Sequence, residues 1–227
     1  MIKVDNAIIL AAGRGSRLKH LTAETPKPLL APKDIPFIED IILKLKEKNI
    51  NEIFVVVGYL GDKFKYLEKK FGIKIIKNTE WDKGNNVTSI VAAKDYLKNT
   101  LILNGDIILK GNPIKNEYES SLTYVEENFN IDEWIVKLND KGNVVDFEKD
   151  GLGKAGLYQR EIIFITKPLV EAMKQNLKSF DMQEYQEYLM IESAKQAKID
   201  FKTFKVQKRT IFDLDTVEEF EEYTNSK

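Results

Sequence analysis

The chain of 227 residues has no cysteine and a single histidine, His20. The first absence excludes disulfides, thiolate zinc clusters, iron–sulfur centres and a cysteine nucleophile. The second excludes a multi-histidine metal site, and any histidine-dependent triad has His20 alone to rest on. An excess of one charge is also missing, since 35 basic and 36 acidic side chains leave a net charge of −1. That balance offers no electrostatic footprint for a nucleic acid or an anionic membrane. No apolar run approaches the ~18 residues that span a bilayer. The opening Met1-Ile2-Lys3-Val4-Asp5 runs straight into an apolar strand, so no secretory signal and a cytoplasmic location are expected. Arginine is scarce: Arg14, Arg17, Arg160 and Arg209 are the only four, and two of them lie within four positions.

What is present suits one α/β domain, with 43% hydrophobic residues for a core and 31% charged residues for a surface. The first half alternates strand and helix. Ala7–Leu10 is an apolar strand, Ile35–Ile50 an amphipathic helix with Pro36 in its first turn, and Ile53–Val57 a β-branched buried strand. Asp62–Phe71 and Val87–Leu97 read as helices, Lys74–Ile76 and Thr100–Asn104 as strands. This rhythm predicts a parallel, doubly wound sheet. Beyond Asp106 the pattern changes to shorter strands at Leu122–Val125, Trp134–Leu138, Val144–Phe147 and Glu161–Thr166. Helices at Pro168–Gln175 and Met182–Ala197, a strand at Phe201–Val206 and a helix after Asp215 complete the chain. The expected architecture is a mixed, mostly parallel central sheet flanked by helices, with an antiparallel extension. Residues 1–227 form one domain in this reading, a nucleotide-binding half over 1–110 and an acceptor-binding half over 111–227.

The most informative stretch is Leu10-Ala11-Ala12-Gly13-Arg14-Gly15-Ser16-Arg17-Leu18, followed by Thr25-Pro26-Lys27-Pro28-Leu29. Small residues directly after a buried strand let the backbone approach a ligand and turn its N–H groups into an anion-binding concavity. Arg14 and Arg17 add planar, permanently charged forks suited to phosphate oxygens, and Lys27 a point charge. Leu18 stands where a dinucleotide fingerprint has its third glycine, and no Gly-Lys-Ser/Thr follows, so neither that motif nor a Walker loop is present. Asp106 ends the Leu101–Asn104 strand, where ligands bind in open α/β sheets. Asp213 and Asp215 alternate around Leu214, which on an extended segment turns both carboxylates to one face. Asp215 or Thr216 could instead cap the last helix, each having a glutamate three residues on, Glu218 or Glu219.

The two segments Leu10–Leu18 and Thr25–Leu29 together closely resemble the signature of bacterial nucleotidyltransferases, which join an NTP to a phosphorylated small molecule on a Rossmann-like fold. The resemblance implies that Leu10, Ala11, Ala12 and Gly13 meet the nucleotide base and ribose through their backbone. Gly15 and Arg17 then hold the triphosphate and Lys27 contacts the α-phosphate or the incoming phosphate. Asp106 and Asp215 match that family's metal pair, and the cofactor implied is Mg²⁺.

Further residues resemble the branch of the family that transfers a cytidylyl group from CTP to phosphocholine. They are Gly58-Tyr59-Leu60, Asn85-Asn86 with Ser89, Glu133-Trp134, Lys154-Ala155-Gly156, Tyr185 with Glu187, and Asp213-Leu214-Asp215. By this resemblance Gly58, Asn85, Asn86 and Ser89 lie near the nucleotide. Trp134 and Tyr185, beside Glu133, Glu187 and Asp213, cage an amine through cation–π and Coulomb attraction, with Lys154 on the acceptor phosphate. Trp134 alternates with Val136 and Leu138 and fits a core equally well, while Tyr185, in the predicted 182–197 helix beside Tyr188, is of a kind that more often packs. Gly151-Leu152-Gly153-Lys154 fits a mobile loop as readily as a phosphate contact. Relatives place a glycine near the strand at Phe164 where this chain has Glu161, which argues against a hexose-1-phosphate acceptor. Other acceptors consistent with the pattern are an aminoalkylphosphonate or, with a different NTP, a sugar-1-phosphate. The partners expected are small molecules, CTP and a phosphorylated amino alcohol; a homodimer is compatible with this reading.

Overall fold

Both faces of the central strands are covered, which is why their sequences are continuously apolar instead of alternating. In the computed structural model, which describes residues 1–226, β1 (Asn6–Ala11) is buried along its whole length. It pairs in parallel with β2 (Ile53–Val57), and β2 in turn with β3 (Lys74–Lys77). On its other side β1 pairs in parallel with β4 (Thr100–Asn104). The second half adds β5 (Ser121–Phe129), β6 (Ile135–Leu138), β7 (Val144–Glu148), β8 (Ala155–Ile165) and β9 (Phe201–Val206). The main sheet runs β7-β6-β8-β4-β1-β2-β3, with β5 paired to β8 and to β9. The β8 pairings are antiparallel and the β5–β9 pairing is parallel. Two short pairs lie outside it, Ile2–Lys3 with Glu117–Tyr118 and Ile108–Leu109 with Ile211–Phe212.

Each face has its own core. Ala7, Ile9 and Ala11 point to one side, against Ile38, Ile41, Ile42 and Leu45 of α1 (Phe37–Glu47) and Leu67 of α2 (Tyr66–Phe71). Ile8 and Leu10 point to the other. There they meet α3 (Val87–Ala93), α4 (Lys167–Asn176) and α5 (Gln186–Ala197) through residues such as Ile90, Met173 and Met190. This is the mixed α/β architecture expected from the sequence, and the differences lie at element ends. Pro36 is extended and precedes α1 instead of sitting inside it. The 62–71 segment splits into a 3₁₀ turn over Gly61–Phe64 and α2, and the 87–97 segment into α3 and a 3₁₀ turn over Lys94–Tyr96. The strand expected from Glu161 begins at Ala155, and the helix expected from Met182 begins at Gln186.

Two of these features build the site. Along β8 the pairing to β5 shifts register between Gln159 and Ile163, so Arg160 and Glu161 lie on a bulge. Bulges re-aim side chains and recur beside active sites. At the far end of the chain, α6 (Val217–Asn225) begins with a reciprocal cap: Thr216 accepts from the Glu219 N–H at 3.2 Å while Glu219 accepts from the Thr216 N–H at 3.0 Å. Thr216 is therefore the cap, and Asp215 is left to face inward. Phe220 of α6 packs edge-on against Phe37 at 6.3 Å, anchoring the helix beside Leu214. Thr216→Ala removes one half of this cap and should cost about 1 kcal/mol. A thermal melt should show Tm lower by about 2–4 °C; an unchanged Tm would mean that Phe220 alone holds the helix.

Candidate active site

The loop after β1 is shaped by a lysine passing beneath it. Gly15 has φ +64°, and a Cβ there would come 2.8 Å from Lys27 Cβ, so only glycine fits. Its carbonyl accepts from the Leu18 N–H at 3.1 Å and from Thr22 Oγ1 at 3.0 Å, closing the loop into the 3₁₀ segment Ser16–Thr22. Lys27 is 4% exposed. Its Nζ donates to Asp106 Oδ2 and to Asp215 Oδ1, both at 2.8 Å, with Asp213 Oδ2 at 4.0 Å. Arg17, largely exposed, reaches the other oxygen of Asp215 at 2.7 Å. Residues from three distant parts of the chain thus meet at one ammonium: the loop after β1, the end of β4 and the segment before α6.

Burial alone lowers a lysine pKa, but Asp106, Asp213 and Asp215 outweigh it here and hold Lys27 charged, well above its ordinary value. Burial likewise disfavours an ionised Asp215, and Lys27 and Arg17 overcome it, keeping this carboxyl below the usual range. Asp213 lies on the other side of the balance. Burial first, then the neighbouring Asp215, push it up to about 8. Glu133 rises to about 7 by burial, with Arg160 opposing the rise. Burial, together with Asp213 and Asp106, places Glu161 well above a normal carboxylate, and burial also raises Glu187.

Two cavities open on this centre and share Arg17 and Asp215 as a common wall. The smaller, about 210 Å³, is lined by Gly15, Ser16, Arg17, Leu18, Lys27, Asp106 and Asp215. The larger, about 360 Å³, is walled by Trp134 and Tyr185 and by the acidic side chains Asp132, Glu133, Glu161, Glu187 and Asp213. Asn86, Asn104, Lys149 and Gln159 complete its lining. Trp134 and Tyr185 meet edge to face at 4.7 Å between centroids, with Tyr188 6.1 Å from Trp134. Tyr185 is extended and precedes α5, so it projects from the helix entrance and not from the helix face expected for it. Asn86 holds that entrance, its Oδ1 accepting from the Gln186 N–H at 2.8 Å and its Nδ2 donating to Glu187 at 3.4 Å.

The other residues singled out in the sequence are placed as follows. Leu10, Ala11 and Ala12 are buried at the end of β1, and Gly13 follows with open space where a Cβ would stand. Arg14 stacks on the Tyr59 ring at 5.4 Å, outside both cavities. Gly58 is a packing residue: its Cβ would fall 2.5 Å from Trp81 and 2.8 Å from the Ala12 carbonyl. Asn85 lines neither cavity; it precedes Asn86, and its N–H is bonded to the Met182 carbonyl at 2.7 Å. Ser89 is buried on α3 and accepts from Asn78 at 3.2 Å, so its hydroxyl serves the core rather than a cavity wall. Lys154 also lies off the cavities, paired with Glu148 and donating to the Asp150 carbonyl. Asp132, Lys149 and Gln159 line the larger cavity without having been singled out in the sequence. Asp132 adjoins Glu133, the one signal available for it; a lone lysine after a strand or a lone glutamine within one carries none.

For a metal, the observation that matters is that two carboxylates already converge on one cation, the Lys27 ammonium. Asp106 and Asp215 supply hard oxygen donors, and two protein carboxylates completed by phosphate oxygens are the usual mode for Mg²⁺. Among the described residues no cluster of three or more His, Asp or Glu side chains is arranged as a self-sufficient metal site. The residues present therefore fit a divalent cation that arrives with a polyphosphate.

An open α/β sheet with a glycine loop, a buried lysine and a carboxylate pair at its strand ends defines a nucleotide-phosphate-handling transferase. Residues 6–147 match the family described as Nucleotidyl transferase, and the chain belongs to that family. Over 220 residues it is 31% identical to the choline-phosphate cytidylyltransferase of Streptococcus pneumoniae, covering 94% of each chain. Over 151 residues it is 38% identical to the 2-aminoethylphosphonate cytidylyltransferase of Lancefieldella rimae, covering 64% of this chain and 61% of that one. The solved structure of the CTP:phosphocholine cytidylyltransferase of Streptococcus pneumoniae superposes with a TM-score of 0.87 at 30% identity, covering 98% of both chains.

The raised carboxyl of Asp213 sets a sign for stability. Unfolded, it releases its proton near 3.8; folded, it keeps it to about 8, so the stability tied to its protonated form is lost as pH rises through that interval. Asp213→Asn removes this loss. In substrate-free protein it should raise Tm several times as much at pH 8 as at pH 5, read by calorimetry at the two pH values. An equal shift at both would show that Asp213 is not held protonated.

Proposed function

We propose that this protein transfers the cytidylyl group of CTP to phosphocholine, forming CDP-choline and releasing pyrophosphate. One observation carries the reading. The cationic centre that suits a polyphosphate and the aromatic, acid-lined cavity that suits a small organic cation share the wall formed by Arg17 and Asp215. An acceptor with a positive head and a phosphate tail would lie across that wall with its phosphate at the centre. The similarity to the choline-phosphate cytidylyltransferase over nearly the whole chain supports the same assignment.

In this reading an oxygen of the acceptor phosphate attacks the α-phosphorus of CTP, and the bond to the pyrophosphate oxygen breaks in line. Lys27 and Arg17 are the catalytic cations: they orient the triphosphate and stabilise the charge that spreads over the phosphoryl oxygens. The backbone from Leu10 to Gly15 lies along the nucleotide, with Asn85 and Asn86 on its flank. Asp106 and Asp215 would hold Mg²⁺, which when bound neutralises phosphate charge. A general base is unnecessary, because a phosphate monoester is already largely ionised near neutral pH. Trp134 and Tyr185 receive the ammonium head, whose positive charge draws Glu133, Glu187 and Asp213, all with raised pKa in the empty cavity, toward their ionised forms. Residues 1–110 and 111–227 act as the nucleotide and acceptor sides of one catalytic domain, working in the cytoplasm.

A second reading is favoured by the acid content of the larger cavity. Carboxylates accept hydrogen bonds that a primary ammonium can donate and a quaternary one cannot, which suits an aminoalkylphosphonate acceptor such as the one named for the Lancefieldella relative. Pyrophosphate release with CTP, UTP or dTTP against phosphocholine, 2-aminoethylphosphonate and glucose-1-phosphate separates these readings. Activity with CTP and phosphocholine supports the first. Silence there, with turnover of another pair, rejects it.

Lys27→Ala or Asp106→Ala should lower kcat by about 10²–10³-fold, and full activity in either variant would remove that residue from the centre. Trp134→Ala should raise KM for phosphocholine by about tenfold, with little change in KM for CTP. Equal changes in both constants would take Trp134 out of the head-group site.

A further inference from the structure

The aromatic cavity already contains a cation of the protein's own. Lys149 is an exposed residue in the turn after β7, and its ammonium is laid against aromatic rings. It lies 4.7 Å from the ring centre of Tyr185, 5.2 Å from Tyr188 and 5.3 Å from Trp134. The neighbouring carboxylate, Glu148, is engaged by Lys137 and Lys154 and does not account for this position. Three ring faces converging on one ammonium are the arrangement by which proteins bind alkylammonium ligands.

We propose that Lys149 is a tethered competitor for the cationic head of the acceptor: it fills the aromatic box in the substrate-free enzyme and is displaced when the acceptor binds. The inference rests on the reading that an organic cation is the acceptor's head group. A tethered group competes at a high effective concentration, in the millimolar range for a short flexible link. Its presence therefore weakens acceptor binding while leaving the phosphate-binding centre untouched.

The fold lets the displacement occur without moving the loop. Downstream of Lys149 the chain is fastened by Tyr158, whose hydroxyl donates to the Gly151 carbonyl at 2.7 Å and lies 2.6 Å from the Lys154 carbonyl. Gly151 is itself enclosed, with no room for a Cβ beside Tyr158 and the Glu133 carbonyl. Upstream, Phe147 is buried against Trp134 at 5.8 Å. Both ends of the turn are fixed, and rotation of the lysine stem alone empties the box.

The test compares the wild type with Lys149→Met, which keeps the stem and removes the charge, and with Lys149→Arg, which keeps the charge. Isothermal titration with tetramethylammonium chloride reads the box without turnover. Lys149→Met should bind this cation about 3–10-fold more tightly than wild type, and Lys149→Arg close to wild type. In steady-state assays Lys149→Met should lower KM for phosphocholine by the same factor, with KM for CTP and kcat unchanged. Unchanged or weaker tetramethylammonium binding in Lys149→Met overturns the proposal whatever the kinetics show. Should phosphocholine prove not to be a substrate, the titration still decides, so failure of the functional reading is distinguishable from failure of this one.

Discussion

A buried ammonium held by two carboxylates organises this protein. Lys27 has almost no access to water and would be strongly destabilising alone; Asp106 and Asp215, each 2.8 Å away, make its burial tolerable. The Lys27–Asp215 pair joins positions 188 residues apart, so the ends of the chain are tied at the functional centre. Every nearby choice follows. Gly15 has no Cβ because the lysine stem runs beneath it, and the Thr216 cap leaves Asp215 free to turn inward. Asp213, one alternation away, has its pKa raised by burial and then by the neighbouring Asp215.

From that centre the electrostatics divide. On the side of the glycine loop, Lys27 and Arg17 face a small cavity suited to polyphosphate oxygens. On the side of β8 and α5, carboxylates and aromatic rings face a larger one suited to a cation. A molecule with charge of both signs, one at each end, is the natural occupant of the pair. The chain's net charge of −1, a sum over all its charged side chains, carries no trace of this local arrangement.

The parallel half of the fold was legible because its strands are buried on both faces and announce themselves as β-branched runs such as Ile53–Val57. The second half was less so. The first six residues of β8, Ala155–Arg160, mix small, polar and aromatic side chains, and only pairing with β5 makes them a strand. Residues 182–185 have helical propensity, but Asn85 and Asn86 hold that stretch out of the helix through bonds to Met182 and Gln186. In the site, Lys27, Asp106 and Asp215 were readable from a motif and from strand ends. Ser89 and Lys154 lie off the cavities, held by Asn78 and Glu148, and such a partner is not written in a side chain's sequence neighbours. Lys149 gave no signal at all: a lysine after a strand looks like any solvated one.

The switch of partners along β8 bears on how this architecture can diversify. On one edge Tyr158 pairs with β6 of the second half and Ile162–Ile165 with β4 of the first, while on the other edge β8 stays paired with β5 on both sides of the bulge. One strand is therefore a structural member of both halves, and the bulge between them carries Glu161 into the cavity. Severing the chain near residue 110 would strand β4 with an open hydrogen-bonding edge, an invitation to intermolecular pairing. New specificities are thus more accessible to evolution by changing what hangs from β8 and the turns beside it than by exchanging the second half of the chain as a module.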